Sequence, residues 1–231
     1  LLEAPKISRT EDYTELLRLV RELITDPQMP LTMIGIRCVQ KMARSLGKQL
    51  SQYVRIVHPA LFDRFKEKKQ SMLDVIQATY AALFANGCMS VESIADDIAA
   101  VVDSKVPHHR VNVIVWVQQV VREIPLCAAK MARTISFAKL LRDEKVEVRD
   151  VSVALVRQLI PVVGDAPFAD AVAGLDPKMV AKLENGAGAG AQGKQPLKRP
   201  GVAGTATTTS SSSSASKTSQ NTPAAGAMSP P

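Results

Sequence analysis

A chain of 231 residues that is 46% hydrophobic but only 4% aromatic has the apolar mass for a sizeable core. Its Leu, Ile, Val, Ala and Met mixture favours packed helices over a sandwich or barrel. The formal charge of +7 is unevenly placed: Lys194, Lys198, Arg199 and Lys217 stand without an acid from Gly186 onward, so the remainder holds 25 basic against 22 acidic residues. That near-balance excludes a function resting on total charge and leaves clustering as its only electrostatic source.

Residues 1–10 read as an irregular lead-in, a remnant of a preceding repeat or linker. A first helix begins near Asp12 with Thr10 as its cap and a stripe of Leu16, Leu17, Leu19, Val20, Leu23 and Ile24. Asp26-Pro27-Gln28-Met29-Pro30 breaks it. A second helix, Leu31 to Leu46, crosses Gly35 and ends at Gly47, a C-terminal cap residue. A third runs from Tyr53 to Phe65 with a bend at Pro59, followed by the basic turn Lys66-Glu67-Lys68-Lys69. A fourth then carries Met72, Leu73, Ile76, Tyr80 and Leu83 to a stop at Asn86-Gly87.

Ser90 caps a fifth helix with Ile94, Ile98, Val101 and Val102. After the turn Asp103 to Pro107, a sixth runs from His108 to Ile124, and a seventh from Ala128 to Arg142. An eighth, Glu147 to Val163, ends at Gly164, and a short pair closes the folded part at Glu184 behind Asp176-Pro177. Segments such as Val111 to Val121 are rich enough in β-branched residues for strands, but their length favours helix.

The turns within these helix pairs fall near Asp26, Lys68, Asp103 and Asp143, a period of roughly 35–42 residues that signals a HEAT-type solenoid. Two stretches align directly: VVDSKVPHHRVNVIVWV and LLRDEKVEVRDVSVALV. The expected fold is therefore all-α, a HEAT-repeat solenoid over residues 11–185. Four aligned turns with helices about 8–10 Å apart would span roughly 30–40 Å, the scale of a globular partner rather than a small molecule.

Phe65-Lys66-Glu67-Lys68-Lys69, with Pro59-Ala60-Leu61 before it, resembles the third repeat of a TOG domain, the tubulin-binding HEAT array of microtubule polymerases. The likeness extends to Leu46-Gly47 and Tyr53, to the turn Asp103 to Pro107, and to Val148-Arg149-Asp150 with Val162-Val163-Gly164. It implies that the turns contact αβ-tubulin through Pro27 and Gln28, Lys68 and Lys69, Lys105, and Lys145 and Arg149. Two turns depart from the family pattern: Asp26-Pro27-Gln28 replaces Asp-x-Asn, and Val106 stands where Asn precedes the proline. The family's first repeat, whose turn bears a tryptophan, has no counterpart ahead of Glu11, and the start at Leu1 is read as that of a fragment. The resemblance further implies a microtubule-growth role, partners in tubulin and microtubule ends, and a cytoplasmic place at microtubules, spindle or organising centre.

Other readings are weaker. Trp116, flanked by Val113, Val117 and Val120, reads as core. His108-His109 reads as a solvated helix start with no further metal ligands at suitable spacing, and Asp96-Asp97 as a solvated face. Cys38, Cys88 and Cys127 read as buried thiols of a reducing compartment. No catalytic motif, phosphate loop or cofactor signature is found, and no signal peptide or membrane span. The expectation is a non-enzyme without metal, cofactor or small-molecule substrate. The rivals are a HEAT scaffold for another acidic protein and a nucleic-acid-binding edge; each turn pairs its bases with an acid, which suits a structured acidic protein better than a phosphate backbone. From Gly186 to Pro231, GAGAGAQG, QPLKRPG and a Ser/Thr run read as a disordered basic linker, a tether adjustable by phosphorylation.

Overall fold

Apolar residues at helical spacing, punctuated by Gly and Pro, fold here into paired helices. The computed structural model describes Ser8 and residues 11–184; Thr10, most of the lead-in and the low-complexity tail from Gly186 lie outside the described residues. The α-helices are α1 (Thr14–Thr25), α2 (Met29–Leu46), α3 (Val54–Asp63), α4 (Gln70–Ala85), α5 (Ala95–Ala100), α6 (Pro107–Glu123), α7 (Ala128–Thr134), α8 (Phe137–Leu141), α9 (Val146–Val163), α10 (Ala169–Val172) and α11 (Pro177–Glu184). Short 3-10 turns join several of them, and no strand occurs among the described residues.

The helices form two layers. One layer holds α1, α3, α5, α7 with α8, and α10; the other holds α2, α4, α6, α9 and α11. Within the layers α1 packs on α3 and α8 on α10, while α2 packs on α4, α6 on α9 and α9 on α11. The all-α HEAT array expected from the period is thus the fold observed. Gly35 has a packing reason: a Cβ there would meet the Ile24 side chain and backbone at 3.0 Å, so its absence lets α1 and α2 close together. Gly47 and Gly164 end their helices at φ 57° and 78°, the left-handed region where glycine is favoured.

Between the third and fourth repeats, aromatic rings fill the junction. The Trp116 ring lies 4.8 Å from Tyr80 and 4.9 Å from Phe65, with Phe62 and Phe84 around them. Trp116 is core, as its valine neighbours indicate. Beneath it, His58 Nε2 lies 3.1 Å from Asp97 Oδ2 and its Nδ1 3.0 Å from the buried Tyr80 hydroxyl, tying α3 to α4 and α5.

Several local expectations are corrected. Helix α1 begins at Thr14 rather than near Asp12, whose Oδ1 accepts the Thr14 N–H at 2.9 Å from just ahead of it. The second helix starts at Met29 rather than Leu31, with Pro30 in its first turn, where its missing N–H costs nothing. The stretch Ala128 to Arg142 is two helices, because Ile135 turns extended (ψ 129°). The kink buries Ile135 and sets Phe137 edge-on to Phe168 at 5.1 Å. His109 is buried rather than solvated, and Cys38 is only half-buried while Cys88 and Cys127 are buried. Of the apolar stripe on the first helix, Leu16 and Leu19 are exposed, whereas Leu17, Val20 and Ile24 pack into the core.

Candidate partner-binding edge

The turns within the helix pairs are bonded in series, which puts them on one edge. Helix α1 ends in carbonyls that have no partner within the helix. Arg64, from the next repeat, takes them: Nε donates to Ile24 O at 2.7 Å and Nη2 to Asp26 O at 3.0 Å, while Nη1 holds Glu67 at 3.0 Å. The Asp26 side chain accepts the Gln28 N–H at 2.7 Å, and Pro27 and Gln28 stand exposed at the tip of this second turn.

The third turn is anchored from beneath by Phe65, which is fully buried. Its carbonyls are held from the fourth repeat. Asn112 Nδ2 donates to Phe65 O at 2.8 Å and to Glu67 O at 2.9 Å, and His108 Nε2 meets Lys66 O at 2.6 Å. Lys66 pairs with Asp63. Lys68 and Lys69 are exposed, and Lys69 Nζ approaches Met29 Sδ of the preceding repeat at 3.6 Å.

In the fourth turn the Ser104 hydroxyl accepts the Val106 N–H at 3.3 Å, and Ser104 O accepts from Arg110. Lys105 projects from it, exposed. Arg110 also reaches the fifth turn: Nη2 donates to Asp143 Oδ1 at 3.0 Å, and Nε lies 2.8 Å from Oδ2. The Nε contact lacks hydrogen-bond alignment, so one bond and the opposite charges hold the pair. Both side chains are only 11% exposed. Asp143 Oδ1 further accepts the Lys145 N–H at 2.9 Å, and Arg149 Nη1 donates to Asp143 O at 2.6 Å and Glu144 O at 3.1 Å. Arg142 carries the series onward to Ala173 O at 2.6 Å.

Two kinds of basic residue follow from this geometry. Arg64, Arg110 and Arg149 are half-buried and spend their guanidinium forks on turn carbonyls and carboxylates. Lys68, Lys69, Lys105 and Lys145 are exposed, and among the described residues none has a carboxylate within ion-pair distance. Of the seven residues named from the sequence, six thus stand exposed on the edge, while Arg149 faces the turn it caps. Sequence reasoning missed Arg64, His108, Arg110, Asn112 and Arg142. Only Arg110 had a signal, as the arginine early in the second helix that the two aligned repeats share.

The edge has the makings of a surface for an acidic macromolecule. Among the described residues, no group of three or more His, Cys, Asp or Glu side chains is placed to hold a metal, and no helix is long and apolar enough to cross a membrane.

No family model matches the chain. Its sequence relatives include protein MOR1 of Arabidopsis thaliana, 26% identical over 187 residues that make up 78% of this chain and 10% of that protein. Protein mini spindles of Drosophila melanogaster is 26% identical over 189 residues, 80% of this chain and 9% of that one. The chain thus spans about a tenth of the length of these relatives. Among solved structures, one from work on microtubule plus-end tracking by XMAP215, CLIP-170 and EB1 superposes with a TM-score of 0.63 at 24% identity, over 78% of this chain and 76% of that one. Another, from work on tubulin recruitment and assembly by microtubule polymerases with TOG domain arrays, gives 0.66 at 20% identity over 78% and 39%. The N-terminal domain of MAST/Orbit gives 0.67 at 16% identity over 77% and 80%.

Proposed function

We propose that this chain, a TOG-type HEAT-repeat domain of the microtubule polymerase family, binds αβ-tubulin through the tips of its aligned turns. One observation carries the reading. Four lysines on three consecutive turns are solvated and, among the described residues, have no carboxylate within ion-pair distance, although Arg64, Arg110 and Arg149 are committed inward. Pro27 and Gln28 extend that edge at its start, and Arg149 supports it from behind. The tips present positive charge at a spacing that suits the face of an acidic protein.

Supporting the choice of partner, one solved structure of this fold comes from work on tubulin recruitment by microtubule polymerases and another from work on TOG-tubulin binding specificity. In this reading the domain has no catalytic step. It holds soluble tubulin near microtubule ends, as part of a protein that promotes growth at the cytoplasmic cytoskeleton or spindle. The same proposal divides the chain into a lead-in (1–10), the array (11–185) and a basic linker (186–231).

Gel filtration of the chain with and without purified αβ-tubulin tests this. A shift of both proteins into an earlier common peak, weakening as salt rises, is expected. Separate elution at low salt would overturn the reading. A retarded duplex DNA or RNA band in a parallel gel would favour the nucleic-acid rival instead.

A further inference from the structure

We infer that Asn112 and His108, in the first turns of α6, are positioning residues for Lys68 and Lys69, so that the fourth repeat sets the direction of the third turn's charges. The inference rests on the tubulin reading for its consequence, but not for its geometry.

Three of the four turns tie their own backbone through one of their own side chains, whereas the third has only the main-chain bond from Glu67 N–H to Arg64 O at 3.0 Å. Asp26 accepts the N–H of Gln28 at 2.7 Å, Ser104 that of Val106 at 3.3 Å, and Asp143 that of Lys145 at 2.9 Å. Each is an Asx- or Ser-type turn made by a short polar side chain reaching two residues on. The third turn, Lys66-Glu67-Lys68-Lys69, has no Asp, Asn, Ser or Thr with which to do so. Its three successive carbonyls, Phe65, Lys66 and Glu67, are instead all engaged by α6, through Asn112 Nδ2 at 2.8 and 2.9 Å and His108 Nε2 at 2.6 Å. A carbonyl only accepts, so His108 Nε2 carries the proton. The Glu67 carbonyl belongs to the peptide plane that leads into Lys68. Fixing that plane fixes where the chain departs, and with it the arc that both lysine side chains sweep. A turn held in this way has already lost the backbone freedom that binding would otherwise take from it.

The test uses the variants Asn112→Leu, which keeps the volume and removes the donor, and His108→Ala, which removes a single bond at a half-exposed site. Trypsin supplies a readout without a partner, because it cuts after the lysines of the turn. Nicking at Lys66, Lys68 and Lys69 should rise about threefold or more in Asn112→Leu and less in His108→Ala, with nicking at Lys145 unchanged. Tubulin affinity should fall about tenfold in Asn112→Leu, the effect of roughly one net hydrogen bond. In a Lys68→Ala/Lys69→Ala background the same change should cost under about twofold, since its effect runs through those lysines.

Unchanged nicking would overturn the inference. So would a loss of affinity that is equally large without the lysines, which would mark Asn112 as a residue of general stability. If nicking rises and the unaltered chain fails to bind tubulin, the clamp stands and the tubulin reading falls.

Discussion

The third and fifth turns present the same exposed lysines on opposite kinds of support. Beneath the third lies Phe65, buried among Phe62, Tyr80 and Trp116, and its carbonyls meet Asn112 and His108 from the next repeat. The fifth is held by charge: Asp143 and Arg110 are both nearly buried, and Arg149 caps the carbonyls. An apolar anchor with borrowed hydrogen bonds and an ionic staple thus reach one result, a rigid base from which a cation projects. What differs is how each fails. The first depends on neighbours packing against it, the second on both charges being present.

The largest effect should come from the apolar anchor. Phe65→Ala removes a fully buried ring from the junction of two repeats, and should cost about 3–5 kcal/mol in urea unfolding. A loss under about 1 kcal/mol would mean that the cluster is not what supports the third turn. Next is the ionic staple. Asp143→Ala leaves the Arg110 guanidinium nearly buried without its carboxylate and should cost about 3 kcal/mol. Replacing both partners, Arg110→Met with Asp143→Leu, should restore most of that, since no uncompensated charge remains. If the double variant is as unstable as the single, the pair contributes net attraction rather than mere compensation.

Acid should separate the two supports. Burial, then the neighbouring Lys66 charge, pushes His109 down to about 4 from an ordinary 6.5. Its ring touches Phe62, and its Nδ1 meets Ser104 Oγ at 3.0 Å. The folded state favours neutral imidazole, so this stabilisation is complete above pH 6.5 and is lost as pH falls from there towards about 4. By pH 5 the loss amounts to about 2 kcal/mol at 1.36 kcal/mol per unit. His109→Gln should flatten that limb of the stability curve. An unchanged acid limb would contradict the assignment.

Much of the fold was legible in the sequence because its punctuation is local. Gly47, Gly164, Pro107 and Pro125 stop or start helices through their own backbone preferences, and the repeat period follows from them. The kink at Ile135 was not, because Ala128 to Arg142 keeps helical spacing throughout, and what the kink serves, the packing of Phe137 on Phe168, lies about 30 residues away. The lysine-bearing tips were legible as charged turns. Their supports were not, since Arg64 reaches carbonyls about 40 residues back and Asn112 about as far, and nothing local marks such a reach. For the same reason Arg149 and Lys145 read as equivalent cations until geometry separated a capping arginine from an exposed lysine. His109 looked solvated beside His108, because adjacent helical positions face different directions and only packing decides which is buried.

The central claim is that the location of the charges, rather than their sum, makes the binding surface. Two double reversals change the net charge equally: Lys68→Glu/Lys69→Glu on the turn edge, and Lys48→Glu/Arg122→Glu at the other ends of the helices, where both residues are exposed. The measurement is the αβ-tubulin dissociation constant of each against the unaltered chain at one ionic strength, with melting temperatures alongside. The edge reversal should weaken binding about tenfold or more, equivalent to about 1.4 kcal/mol, and the distal reversal by less than about threefold, both with melting temperatures nearly unchanged. Equal weakening by the two, or none by the edge reversal, would contradict the account.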